Sequence, residues 1–176
     1  MKKKTMLELA RVSCDEYHNI EKIPLVVILD DIRSLNNIGS VFRTADAFLI
    51  EKIYLCGITA TPPSPEIHKT ALGAEDSVEW EHVDNIITLI EKLKSDGYKV
   101  CGIEQVNGSV NMLDFVVDNN GKYAVILGNE VKGVKQEAVD ASDVCIELPQ
   151  YGTKHSLNVS ITAGIVMWNF FISMKK

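Results

Sequence analysis

Residues 146–164, IELPQYGTKHSLNVSITAG, decide how this chain reads. The stretch leaves an apolar, strand-like run (residues 144–148), crosses a loop shaped by Pro149 and Gly152, and enters a long apolar helix at Ser156. Ser156, Asn158 and Ser160 stand at alternate positions of that entry. The first N–H groups of a helix have no internal partner, so one small polar residue is needed there as a cap. Three of them, following a loop that carries Lys154 and His155, exceed what a cap requires. The surplus marks the head of this helix as a place for function.

Outward from this segment, apolar runs alternate with helical periodicities. Residues 25–29 (LVVIL), 52–55, 98–103, 123–127 and 144–148 read as strands, and the first is apolar without a break, as in a strand covered on both faces of a parallel sheet. Residues 78–83 fit a short edge strand. Helical spacing appears over residues 5–19 through Met6, Leu9, Ala10 and Cys14. It returns over 38–48, with Asn36 or Asn37 as cap, and over 84–95, ended by Gly97. After Pro62, Pro63 and Pro65 a loop and a short helix around 66–72 are expected, with another helix around 136–141. This alternation predicts an α/β fold, a mostly parallel sheet flanked by helices. The 176 residues suit one domain, residues 1–22 forming a helical N-terminal extension.

Composition narrows the function classes. Hydrophobic content of 46% and charged content of 24% are ordinary for a soluble globular protein. Lys2, Lys3 and Lys4 precede a stretch charged too early for a signal peptide, and the longest apolar run, 161–172, contains Asn169 and falls short of the roughly 20 residues that span a bilayer. A cytoplasmic protein without membrane contact is expected. Cys14, Cys56, Cys101 and Cys145 form no C-x-x-C pair and the four His are scattered, so buried free thiols and no metal site are expected. A net charge of −6 argues against a broad nucleic-acid surface, while Arg33, Arg43, Lys69, Lys132 and Lys154 leave room for a local basic face.

Ligands of open parallel sheets sit beyond the carboxyl ends of the strands. Three polar loops follow strands here, at 30–43, 128–133 and 149–158, and are expected to converge. In the first, Arg43 lies in a helix amid Val41, Phe42 and Ala45; it is either a surface arginine paired with Asp46 or Asp31, or a group held for chemistry. In the second, ILGNEVKGV, a strand ends in a tight turn with exposed backbone N–H groups suited to a cofactor. It matches neither a phosphate-binding P-loop nor a dinucleotide fingerprint. Glu130 there is a helix-start carboxylate or a site residue, and Ser156 in the third loop is a plain cap or a ligand.

Taken together and in this order, the three segments resemble the SpoU family, also called the TrmH family, of RNA ribose 2′-O-methyltransferases within the SPOUT superfamily. Asn37, Gly39 and Arg43, with Thr44 and Ala45 following, match its first motif. Leu127, Gly128, Asn129, Glu130 and Gly133 match the second, L-G-N-E-x-x-G. Pro149, Gly152, Ser156, Leu157, Asn158, Val159, Ser160 and Ala163 match the third. The resemblance covers residues 23–172. It implies a C-terminal deep trefoil knot over approximately residues 122–172, an exception to the rule that chains do not knot. It implies S-adenosylmethionine bound in bent form by Leu127, Gly128, Asn129, Gly133, Ile146, Leu148, Ser156 and Leu157, and a homodimer with sites near the interface. Arg43 would activate the ribose hydroxyl or grip the adjacent phosphate, with Asn37, Glu130, Ser156 and Asn158 orienting it, the ribose or the cofactor. RNA would meet Arg33, Arg43, Lys69, Lys132 and Lys154. The partner implied is tRNA or rRNA, with tRNA favoured because the chain resembles single-domain relatives. About 22 residues precede the first strand, so the additional N-terminal RNA-binding domain of many relatives is not expected. A catalytically inactive knotted module that binds RNA or cofactor, and a small-molecule methyltransferase in keeping with the acidic pI, are the other readings.

Overall fold

A strand whose two faces are both apolar must be covered twice, and the structure meets that demand with helices on either side of one sheet. The computed structural model describes residues 1–5, 7–9 and 11–175. After a 3-10 turn at Leu7–Leu9 come α1 (Cys14–Asn19), β1 (Ile23–Asp30), α2 (Leu35–Ala47) and β2 (Ile50–Cys56). Next are α3 (Pro65–Ala71), α4 (Ala74–Ser77), β3 (Trp80–Val83), α5 (Ile86–Ser95) and β4 (Tyr98–Ile103). The chain continues through β5 (Val110–Asn111), β6 (Lys122–Leu127), α6 (Gln136–Ala141), β7 (Val144–Glu147) and α7 (Val159–Met174). The seven strands lie in the order β3-β2-β1-β6-β4-β7-β5, and every pairing is parallel.

Alternation along the strands sorts the core into two layers. Leu25, Val27 and Leu29 of β1 pack with α2, α3 and α7, while Val26 and Ile28 face α5 and α6. In register, Val27 lies between Ile53 of β2 and Val125 of β6. Phe170 of α7 is fully buried, its ring 5.1 Å from that of Tyr123 and 6.0 Å from that of Phe115. A Cβ on Gly164 would stand 3.9 Å from Thr44 Cγ2, an ordinary van der Waals contact, so α7 packs beside α2 here with room for an alanine.

Several boundaries differ from the periodicity reading. The helix expected over residues 5–19 is two pieces, because Ser13 and Glu16 form a reciprocal capping box that starts α1 at Cys14; Met6 and Ala10 lie outside the described residues. Helix α2 starts earlier than expected and is capped by Ser34, whose hydroxyl accepts the Asn37 N–H, so neither Asn36 nor Asn37 is the cap. Helix α7 starts at Val159 with Asn158 as its cap, and Ser156 precedes it in the loop. The short elements α4 and β5 were not anticipated. Cys56 and Cys101 are buried and all four cysteines are free thiols, with Cys14 exposed. Burial pushes the thiols of Cys56 and Cys101 up to about 12, which keeps them protonated and unreactive. No helix among the described residues is long and apolar enough to cross a membrane.

Because Phe170 joins α7 to Tyr123 of β6 and to Phe115 of the connection before it, Phe170→Ala is expected to lower stability by about 3–5 kcal/mol, the cost of a large unfilled core site, read from urea denaturation midpoints.

Candidate functional site

The carboxyl ends of β4, β6 and β7 open onto a cleft of about 670 Å3. Ile103, Leu127 and Ile146, at or next to the last residues of these strands, form its apolar floor, with Leu148 and Leu157 above. All eight residues expected to hold a cofactor line it: Leu127, Gly128, Asn129, Gly133, Ile146, Leu148, Ser156 and Leu157. The turn after β6 is drawn tight by its own polar groups. Asn129 Oδ1 accepts the Val131 and Lys132 N–H groups at 3.0 Å each, and the Gly133 N–H donates to the Asn129 carbonyl at 2.8 Å. A Cβ on Gly128 would sit 2.2 Å from the Gly133 backbone, so the turn closes only with glycine there.

The three polar loops meet at the rim. Glu130 accepts the backbone N–H of Arg33 and of Ser34 at 3.0 Å each and the side-chain amide of Asn37 at 3.1 Å. Asn37 Oδ1 in turn accepts the Asn158 amide at 3.2 Å, and Asn158 Oδ1 accepts from the Ser160 N–H and hydroxyl. One continuous chain of hydrogen bonds therefore runs through residues of all three segments. Burial pushes the Glu130 carboxyl up, but the N–H groups of Arg33 and Ser34 and the Asn37 amide outweigh it and hold it below its ordinary value of 4.5.

Other expected residues fall elsewhere. Arg43 is exposed on α2, outside the cleft lining, and makes no hydrogen bond or ion pair among the described residues. Asp31, one of its two suggested partners, instead binds Lys135 at 2.8 Å. Ser156 lines the cleft with its hydroxyl unbonded among the described residues. Lys132 lines the cleft, Lys154 is exposed in the last loop, Arg33 reaches the rim through its backbone, and Lys69 on α3 lies outside the lining. No cluster of metal-binding side chains occurs among the described residues.

The structure adds residues that the motifs do not contain. Glu104, directly after β4, accepts the Val134 N–H at 2.9 Å, and Gln105 donates to the His155 carbonyl at 3.1 Å, tying the last loop to the end of β4. Glu147 accepts the Ser109 hydroxyl at 2.9 Å. The signal available for Glu104 and Gln105 is their position immediately beyond a strand, where ligands of parallel sheets gather.

A carboxylate held below its ordinary value stabilises the fold above the unfolded value, and this is lost as pH falls through the lower folded one. Thermal melts of the wild type between about pH 5 and 3 should therefore show a steeper loss of stability than those of Glu130→Gln. Parallel pH profiles would show that the Glu130 contacts are not formed in solution.

Comparison with known proteins follows the same geometry. Residues 24–168 match the model of the SpoU rRNA Methylase family. A TrmH family protein of Staphylococcus haemolyticus is 30% identical over 151 residues, 86% of this chain and 59% of that protein. The 23S rRNA (guanosine-2′-O-)-methyltransferase RlmB of Neisseria meningitidis serogroup B is 28% identical over 153 residues, 87% of this chain and 60% of that protein. The chain thus spans about three fifths of the length of these curated relatives. Among solved structures, the A. aeolicus TrmH/SpoU tRNA modifying enzyme superposes with a TM-score of 0.81 at 25% identity, covering 92% of this chain and 82% of that one. The AdoMet-bound rRNA methyltransferase of Sinorhizobium meliloti superposes with a TM-score of 0.77 at 26% identity, covering 88% and 59%. With its sheet order, its cleft and a family match over most of its length, this chain belongs to the SpoU methylase family.

Proposed function

We propose that this chain transfers a methyl group from S-adenosylmethionine to a ribose 2′-hydroxyl of tRNA or rRNA, with tRNA favoured. The observation that carries the reading is the hydrogen-bonded chain from Asn158 through Asn37 to Glu130, which joins three polar segments beside an apolar-floored cleft. The cleft suits the cofactor. Its volume lies within the roughly 300–1,000 Å3 of small-molecule sites, its floor of Ile103, Leu127 and Ile146 offers apolar surface to a purine, and its tight turn presents backbone N–H and carbonyl groups. The Sinorhizobium meliloti relative holds AdoMet, the Neisseria meningitidis relative is named for guanosine 2′-O-methylation of 23S rRNA, and the A. aeolicus relative for tRNA modification. When bound, S-adenosylmethionine supplies an electrophilic methyl group on a sulfonium.

The protein's share is alignment. Transfer is an in-line displacement, so the ribose oxygen must be held on the axis of the breaking bond, and its proton leaves to solvent water at the exposed rim. Asn37, Ser156 and Asn158 offer side-chain amides and a hydroxyl at the rim to orient the ribose, and Glu130 fixes Asn37. Arg43, unpaired within the described residues, presents a fork suited to the adjacent phosphate. Arg33, Lys132 and Lys154 extend a basic edge toward RNA, with Lys69 further out on α3. The same reading takes the protein to be cytoplasmic.

Two further elements belong to the reading. The chain over residues 122–172 forms a trefoil knot within a single methyltransferase domain. The strand order supports this, since β6 lies between β1 and β4, β7 beyond β4, and the chain then returns to α2 as α7. The protein also pairs as a homodimer through α7. Thr162, Asn169 and Ser173 line one side of that helix, and an exposed apolar face beside them is normally covered. Its outer face carries Ile161, Ile165, Trp168 and Ile172 at helical spacing, all exposed, with Phe48 against Trp168 at 5.5 Å. Trp168→Glu is therefore expected to give a monomer by light scattering; an unchanged mass would remove α7 from the interface.

The decisive experiment incubates the protein with S-adenosylmethionine and total tRNA or rRNA and analyses the nucleosides. A 2′-O-methylated nucleoside is expected; cofactor binding by calorimetry without methylation of either RNA would overturn catalysis in favour of a binding module. Arg43→Ala should lower turnover by at least about 100-fold while cofactor affinity stays within about twofold. Loss of both would make Arg43 structural.

A further inference from the structure

Behind the wall of the cleft lies a charged group that the proposed chemistry does not use. Asp31 follows β1 in the left-handed region, at φ 54°, and each of its polar atoms is engaged. Its N–H donates to the Cys56 carbonyl at 3.2 Å, and its own carbonyl accepts the Asn129 amide at 2.7 Å. Its Oδ1 accepts the Ile58 N–H at 3.0 Å, and its Oδ2 lies 2.8 Å from Lys135 Nζ. The same ammonium reaches Oδ1 of Asp30 at 3.2 Å. Asp30 is 1% exposed, and its other oxygen is buried without a partner. Burial pushes the Asp30 carboxyl above its ordinary value, and Lys135, the cation facing it, draws it part of the way back.

Both ends of the segment that walls the cleft are held by this group. Asn129 at one end hangs from the Asp31 carbonyl, and Lys135 at the other is fastened to the Asp31 and Asp30 carboxylates. Between them, Val134 is pinned to Glu104. On its far side Asp31 leads directly into Arg33 and Ser34, whose N–H groups hold Glu130. We infer that Asp31 and Lys135, backed by Asp30, are positioning residues that set the wall formed by residues 128–134 and through it the affinity for the adenosyl cofactor. The inference rests on the cleft being the cofactor site. The latch touches no reacting atom, so it acts on cofactor binding rather than on the transfer step.

The test compares Lys135→Met, Lys135→Arg and Asp31→Asn with the wild type, each checked for a cooperative melt. Asn tolerates the left-handed backbone, so Asp31→Asn removes charge without forcing the chain to move. Lys135→Met and Asp31→Asn should weaken S-adenosylmethionine binding by about tenfold in calorimetry, with kcat at saturating cofactor changed less than about threefold, and Lys135→Arg should restore affinity. Amide hydrogen exchange should show faster exchange confined to residues 129–134 in Lys135→Met. Should Lys135→Met not fold, Asp31→Asn carries the same readouts, with Lys135→Arg as the charge-retaining control. Unchanged affinity and unchanged exchange in a folded variant would overturn the latch. A wild type that binds no S-adenosylmethionine would instead overturn the reading of the cleft, and the exchange measurement alone then decides whether the latch orders the wall.

Discussion

The Glu130 carboxylate sits on the backbone N–H groups that lead into α2, and the placement of the polar loops hangs on that contact. Helix starts carry partial positive charge and unsatisfied donors, so an anion there is favoured. Here the anion comes from another strand. Parallel pairing of β6 with β1 brings Leu127 level with Leu29, and the turn that follows delivers Glu130 to the loop that follows β1. With Ser34 as cap and Glu130 on the N–H groups of Arg33 and Ser34, Asn37 is released from capping. Its amide is then available to bridge Glu130 and Asn158.

The same division of labour explains the surplus of polar residues before α7. Asn158 is the cap, accepting from Ser160, while its amide reaches Asn37. Ser156 is not needed for the helix and faces the cleft. A cap uses only the side-chain oxygen of an asparagine, and the remaining amide lets one residue both start a helix and join the hydrogen-bonded chain to Asn37.

Strands were legible because burial on both faces leaves an unbroken apolar run, as in residues 25–29, and the convergence of the three loops followed from their place after strands. Helix starts were less legible, since Asn36 and Asn37 both suit a cap by type, yet Ser34 takes that role and Asn37 bonds Glu130, 93 residues away. The short elements α4 and β5 carry too few residues for periodicity to register. The latch was invisible for a related reason: Lys135 and Asp30 are 105 residues apart, and neither sits in a pattern that names its partner. Arg43 shows the limit from the other side. Its motif is plain, yet the single chain leaves it outside the cleft.

Charge is where the sequence misleads most about the site. A net charge of −6 does not say where the charges sit: a hydrogen-bonded carboxylate keeps its full negative charge, and only an ion pair such as Asp31 with Lys135 sets one charge against another. Glu130 is spent on α2, Glu104 on Val134, Glu147 on Ser109, and Asp30 and Asp31 on Lys135. Lys132 in the cleft lining, Arg33 at the rim and Lys154 in the last loop are exposed, and so is Arg43 outside the lining. The sign of the field along the cleft edge is therefore set by how these groups are spaced rather than by the net charge alone.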